Sequence, residues 1–223
     1  MMYKLKIADL IIDVIAKDDR SKPLFNDYLI DSNDNADISI NIENSNDEFI
    51  DIHDGLAKNI VKYNGFVIHG ACILYKDNAY LFIAPSGTGK TTHIRLWMKH
   101  LKDLVVINGD KPIIRLINTL PYIYGTPWMG KERYGNNTSA KLKSIILLKQ
   151  GPIDKIAKID KKEHINEIFN QIYMPEDKTT LIETMDLVDK VFNNVDVYSM
   201  DATMNDSAFI TCFEGLLGEK YEG

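Results

Sequence analysis

The stretch that decides the fold is FIAPSGTGKTTHIRLW, residues 82–97. An apolar strand pattern, AYLFIA, leads into it, and the segment APSGTGKTT is followed by HIRLWMKHL, whose apolar residues repeat at helical spacing. A strand, a glycine-containing loop and a helix in this order form the context of a Walker A motif. A turn that binds nothing is the alternative, but GTGKTT in this context favours a phosphate-binding loop.

The residue types of this loop suit the phosphates of a nucleotide. Glycines allow successive N–H groups to point inward, and the helix N-terminus adds partial positive charge. Lys90 is expected to reach the β- and γ-phosphates, and the Thr91 hydroxyl to bind Mg²⁺. The first motif position is Ala84 instead of glycine. The predicted nucleotide-binding residues are Ser86, Gly87, Thr88, Gly89, Lys90, Thr91 and Thr92.

Two further polar residues stand beside apolar strand patterns. Asp110 follows LVVI within NGDKP, one helix and one strand after Lys90, where a carboxylate would lie near the metal; alternatively, NGDKP is only a turn. His69 interrupts FVIHGACILY, which the pattern predicts to be one strand. It is either a satisfied core histidine or, if that strand pairs with the strand before the loop, an active-site residue. The candidate catalytic residues are His69, Lys90 and Asp110.

The segment YGTPWMGKERYGNN, residues 124–137, mixes glycine, aromatic and charged residues. Such a loop suits a lid over a substrate or nucleotide, with Trp128 for stacking, Lys131 and Arg133 for phosphate charge, and Glu132 for the metal. The alternative is a solvated surface loop with a half-buried tryptophan.

The order HGA, SGTGKTT, NGDK resembles the kinase core shared by HPr kinase/phosphorylase and the phosphoenolpyruvate carboxykinases. In HPr kinases a His-Gly pair precedes SGxGKS, and an Asp-Asp pair follows it. The resemblance spans residues 66–150. It implies that His69 belongs to the active site, that Lys90 and Thr91 bind phosphate and Mg²⁺, and that Asp110 is an acid/base or a metal ligand. It also implies ATP and Mg²⁺ as cofactors, and a homo-oligomer.

The sequence departs from this family pattern in one place that bears on chemistry. The Asp-Asp pair is reduced to Gly109-Asp110-Lys111, so the choice between base and metal ligand for Asp110 stays open. The chain also lacks the large lobe that a carboxykinase needs, so decarboxylation is not expected. The acceptor of a phosphoryl group is therefore unassigned.

The predicted fold is α/β, a P-loop core with a mixed β-sheet of the HPr kinase/PEP carboxykinase type. Residues 1–50 are predicted to form a strand-rich N-terminal part packed on the core, because DISINIE alternates with a period of two. Residues 51–223 are predicted to form the P-loop kinase-like domain, ending in a helical C-terminal part with patterns such as TTLIETMDLVDKVF.

Composition narrows the class of protein. The net charge of -6 argues against nucleic-acid binding, and IADLIIDVIA, broken by Asp9 and Asp13, is too short to be a membrane anchor. Cys72 and Cys212 have no metal-binding spacing and suit a reducing cytoplasm. We therefore expect a cytoplasmic ATP- and Mg²⁺-dependent kinase whose acceptor is a hydroxyl of a protein, peptide or small metabolite. The alternative is a nucleotide-binding regulatory module without turnover.

Overall fold

The computed structural model describes all residues, 1–223, and begins with a four-stranded sheet. The strands run in the order β3-β1-β2-β4, with β2 and β4 parallel and the other pairs antiparallel. Alternating residues point to one buried face, as the DISINIE pattern predicts. The strands are β1 (Met2–Ile7), β2 (Leu10–Ile15), β3 (Leu29–Ile30) and β4 (Ile38–Asn41).

The first helix, α1 (Glu48–Asn59), covers this sheet. The Asp47 side chain caps it by accepting a hydrogen bond from the Ile50 N–H. Its buried residues Ile52 and Leu56 share a core with the buried faces of β1, β2 and β4. The same core includes Val67 of a second, larger sheet and Trp128 of one of its loops, so the N-terminal sheet, α1 and the rest of the chain are packed together.

The second sheet is mixed, which confirms the predicted α/β class. β11 runs parallel to β7 and to β13, whereas the remaining pairs are antiparallel. The main ladder has the order β5-β9-β10-β11-β7-β6-β8. Its strands are β5 (Gly65–Val67), β6 (Ala71–Tyr75), β7 (Asn78–Ile83), β8 (Val105–Asn108), β9 (Ile113–Ile117), β10 (Leu120–Tyr124), β11 (Ser139–Gln150), β12 (Lys155–Lys158) and β13 (Asp196–Ala202).

The prediction of one continuous strand in FVIHGACILY is wrong. The chain bends between β5 and β6, and β5 pairs with β9 while β6 pairs with β8. At the bend the Gly70 N–H donates to the Asp110 carbonyl over 2.8 Å. A Cβ on Gly70 would lie 2.9 Å from the Phe82 carbonyl oxygen, so a side chain there would collide with β7. The bend turns His69 towards Asp110 and out of the apolar strand pattern.

Four more helices cover the two faces of the second sheet: α2 (Lys90–His100), α3 (Ile165–Phe169), α4 (Lys178–Phe192) and α5 (Asp206–Leu217). Trp97 of α2 and Phe209 of α5 pack edge to face within one core. Ile168 of α3 and Val188 of α4 belong to a separate core on the other face. The C-terminal part is thus mostly helical, as predicted, but also contributes β12 and β13. None of the helices combines the length and apolarity that crossing a membrane requires.

Candidate active site

The glycine-containing loop connects β7 directly to α2, as its sequence predicts. The φ angle of Gly89, the residue before the helix, is 108°, a left-handed conformation that favours glycine. The loop therefore turns sharply into α2 and leaves the first N–H groups of the helix facing outward from the sheet.

The backbone N–H groups of this loop are the clearest sign of a binding site. Only the Thr88 N–H is used internally, donating to the Pro85 carbonyl over 3.3 Å. The next bonded amide is that of His93, which donates to the Gly89 carbonyl. The amides that make no hydrogen bond within the protein are those of Ser86, Gly87, Gly89, Lys90, Thr91 and Thr92.

These partnerless amides all line one cavity of about 520 Å³. A concentration of N–H donors at a helix N-terminus is an arrangement suited to an anion. Lys90, His69, Asp110 and Lys131 line the same cavity, so the structure brings together three of the separately predicted parts of the site. Thr88 instead faces a neighbouring cavity.

Lys90 is held inside the cradle, as we call the loop of residues 84–92 with its free amides. Its side chain is buried, and Nζ donates to the Ala84 carbonyl over 2.6 Å. Burial lowers the pKa of this ammonium group, while the negative charge of Asp110 acts in the opposite direction. A second, longer hydrogen bond of Nζ goes to the Pro85 carbonyl at 3.4 Å. A buried cation whose partners are neutral carbonyls, near six free amides, is well placed to exchange these partners for phosphate oxygens.

His69 and Asp110 contact each other in this cavity. Nε2 of His69 lies 3.4 Å from Oδ1 of Asp110, and each side chain is 31% exposed. Burial alone would raise the pKa of the Asp110 carboxyl. The hydrogen bond and charge of His69, with the charges of Lys111 and Lys90, outweigh it, so this pKa lies below its usual range. Asp110 is therefore ionised at neutral pH.

Two residues that the sequence did not single out fix this pair. Gln171, buried beside α3, places Oε1 2.9 Å from Nδ1 of His69 and so orients the imidazole. Asn108, fully buried, accepts from the N–H groups of Asp110 and Lys111 at 2.8 Å each. The Asn-Gly step after an apolar strand signals such a turn, whereas nothing in the sequence near Gln171 points to His69.

Residues NGDKP form a turn, and the carboxylate within it lines the cavity. The chain does turn there, between β8 and β9, and the turn carries Asp110 into the cavity. The Asn108 amide nitrogen also donates to the Thr126 carbonyl and hydroxyl at 3.0 Å, which ties the turn to the segment after β10.

The loop between β10 and β11 approaches the cradle and is fastened to α2. Arg95 pairs with Glu132 over 2.8 Å, and its Nε donates to the Tyr134 hydroxyl over 3.3 Å. Glu132 and Lys131 both line the cavity. Lys131 makes no hydrogen bond or ion pair, so its ammonium is free for a ligand, whereas the Glu132 carboxylate already has a cationic partner.

Two of the lid residues do not face the cavity. The expectation that Trp128 stacks on a ligand is wrong: its indole is 5% exposed and donates to the Phe49 carbonyl over 2.9 Å. It packs against Phe25 and His53, because the large apolar ring joins the core below the N-terminal sheet. Arg133 takes a left-handed conformation and lies outside the cavity lining, so the structure gives no support to its predicted contact with phosphate.

Metal-binding groups are sparse. No group of three or more His, Cys, Asp or Glu side chains could hold a metal by itself. Thr91 and Asp110 line the same cavity, and each has a side-chain oxygen that Mg²⁺ can bind. Mg²⁺ commonly keeps several waters and takes one or two carboxylates plus substrate phosphates, so this donor set fits a metal that arrives with a nucleotide.

A second cavity of about 790 Å³ lies on the other side of the loop, at the carboxyl ends of β7 and β11. It shares Ser86 and Gly87 with the first cavity. Apolar residues such as Leu147 and Leu148 form part of its wall, and Asn170 and Gln171 contribute amide groups. The two cavities thus meet at the beginning of the loop.

Comparisons with known proteins add little beyond this geometry. No family model matches the sequence, and a search of curated proteins finds no match. Among solved structures, the chain is similar to the HPr(Ser) kinase/phosphatase from Coxiella burnetii, with 9% identity and a TM-score of 0.37. The match covers 68% of this chain and 93% of that one. Similarity this weak carries no argument about the site, so the function is inferred from the residues themselves.

Proposed function

We propose that this protein is an ATP- and Mg²⁺-dependent phosphotransferase that moves the γ-phosphoryl group to a hydroxyl. One observation carries the proposal: the partnerless amides of residues 86–92 line the same cavity as Lys90, His69 and Asp110. A phosphate-binding loop alone would support only binding. A carboxylate and an imidazole in the same cavity add groups that can position an acceptor and take its proton.

Each residue has a distinct part in this proposal. The free amides and Lys90 bind the phosphates, and Lys131 adds a second positive charge at the open side. Thr91 and Asp110 would hold Mg²⁺, which would supply positive charge against the negative charge that develops during transfer. The Arg95–Glu132 pair keeps the loop that carries Lys131 near the cradle.

The transfer itself needs a hydroxyl aligned with the γ-phosphorus. The acceptor oxygen forms the new P–O bond, the bond between the γ-phosphorus and the bridging oxygen breaks, and ADP leaves with that electron pair. Asp110 or His69 accepts the hydroxyl proton. An ionised Asp110 suits this step, because in a loose transition state the proton is transferred late and a strong base is not required.

A nucleotide-binding module without turnover is the second candidate. It is favoured by the single carboxylate in the NGDK turn and by the engagement of Glu132 with Arg95. Asp110 is then the one carboxylate lining the cavity that forms no salt bridge with a lysine or arginine. Binding energy could then serve regulation alone.

Slow ATP hydrolysis, with water replacing the acceptor, separates the two candidates without knowledge of the acceptor. We expect purified protein with Mg·ATP to form ADP slowly, and Asp110→Asn to lose at least about 10²-fold of that rate while retaining nucleotide affinity. ADP formation that is equal in the two proteins, or absent in both despite tight Mg·ATP binding, would favour the module without turnover.

A further inference from the structure

Met204 stands out among the residues that line the first cavity. Its side chain is 56% exposed, although it belongs to the wall of a cavity whose other members are mainly polar or glycine. It lies on the segment between β13 and α5. Its Cε and Sδ come within 3.7 and 3.8 Å of the place where a Cβ on Gly89 would stand. An exposed thioether therefore borders the residue from which α2 begins.

The segment that carries Met204 is firmly anchored. The Asp154 carboxylate accepts hydrogen bonds from the Thr203 N–H at 2.6 Å, the Thr203 hydroxyl at 3.1 Å and the Ser207 hydroxyl at 2.5 Å. These bonds lower the pKa of Asp154 despite the opposing effect of burial, so the anchor is ionised at neutral pH. Since Thr203 and Ser207 flank Met204, the methionine is presented at a defined position.

The direction of a bound triphosphate follows from the proposed function, on which this inference rests. The reacting γ-phosphate must lie beside His69 and Asp110. The α- and β-phosphates then lie on the amides at the start of α2, and the nucleoside must leave the cradle on that helix side. Met204 is the exposed apolar side chain beside this exit.

We propose that Met204 is a binding residue for the nucleoside, with its thioether against the face or edge of the aromatic base. A sulfur–aromatic contact contributes about 0.3–1.5 kcal/mol, and methionine adapts to bases of different shape because its side chain is flexible. Met204 would thus contribute to affinity for nucleotides over inorganic polyphosphates without selecting one base strongly.

The test compares ATP with inorganic tripolyphosphate, which offers a chain of three phosphates without a nucleoside. Calorimetric titration of the full-length protein, with Mg²⁺ present, should show that Met204→Ala weakens ATP binding by about 3- to 10-fold and leaves tripolyphosphate binding unchanged. Met98→Ala removes another exposed methionine, one on α2 outside both cavities, and should change neither affinity.

Four results would overturn the inference. Equal weakening of both ligands in Met204→Ala would mean that the side chain supports the loop instead of the base. A selective loss of ATP affinity in Asn170→Ala, with none in Met204→Ala, would place the base in the second cavity. If wild-type protein binds neither ligand, the proposed function is wrong as well. If it binds both with equal affinity, only the proposed role of Met204 is wrong.

Discussion

Nε2 of His69 lies 3.4 Å from Oδ1 of Asp110, although the loop, α2 and β8 all separate them in the chain. The bend between β5 and β6 makes this contact, because it brings His69 opposite the turn after β8. The pair lines the same cavity as the free amides of the loop. This relationship distinguishes a candidate catalytic site from a simple anion-binding loop.

Replacing His69 tests whether it acts in the site or in the core. Its side chain is one-third exposed and contacts Gln171 and Asp110, so His69→Ala should change the melting temperature only slightly. The Asp110-dependent formation of ADP should fall about 10²-fold or more, in the range of a lost acid–base or positioning group. A variant with a clearly lower melting temperature and an undiminished rate would show that the histidine is structural.

The pH dependence of the site follows from the lowered pKa of Asp110. This carboxylate stabilises the folded state above its unfolded pKa, near 3.8, and that contribution is lost only as pH falls through the lower folded pKa. In His69→Gln the principal group lowering the pKa is gone and burial remains. On acidification, the rate of ADP formation and the melting temperature should therefore begin to fall at a higher pH than in the wild type. If both fall at the same pH as in the wild type, His69 does not lower the pKa of Asp110.

Trp128 should matter for stability and not for ligand binding. Trp128→Ala leaves a cavity in the core shared with the N-terminal sheet and should cost about 3–5 kcal/mol of unfolding free energy. Trp128→Phe keeps most of the volume but leaves the Phe49 carbonyl without its donor, a loss of about 1 kcal/mol. Denaturant titration measures both changes. If Trp128→Phe retains its stability but loses ATP affinity, the original lid assignment is right.

The Arg95–Glu132 pair can be tested by a double-mutant cycle. Both side chains are about half exposed, so the pair is expected to contribute at most about 1 kcal/mol to stability. If Glu132 only fastens the loop, Arg95→Ala, Glu132→Ala and the double variant should lower ATP affinity by the same small factor. A Mg²⁺-specific defect in Glu132→Ala that Arg95→Ala lacks would restore Glu132 as a metal ligand.

Local patterns in the sequence predict the parts of this site well. The strand, loop and helix around Lys90 are formed by residues that are neighbours in the chain. The mixed sheet also follows from the alternation of strands with one crossover helix and later helices. These features depend on contacts that are short in sequence, where periodicity and turn chemistry carry information.

What the sequence could not predict depends on long-range packing. The bend at His69 arises because β5 and β6 pair with different strands, and an apolar run gives no sign of such a break. The burial of Trp128 depends on Phe25 and Phe49, which lie far away in the chain. Likewise, Gln171 lies after α3 and contacts His69 over a separation of 102 residues, so no local sequence pattern predicts this contact.

The most direct test of the central claim is the binding of Mg²⁺-tripolyphosphate to wild-type protein and to Lys90→Met. Methionine matches the shape of lysine and removes a buried charge, so the melting temperature should stay the same or rise slightly. We expect wild-type protein to bind tripolyphosphate. Lys90→Met should bind it about 10- to 100-fold more weakly, the loss expected when charged hydrogen bonds to phosphate are removed. Equal affinity in the two folded proteins, or no binding by the wild type, would contradict the central claim.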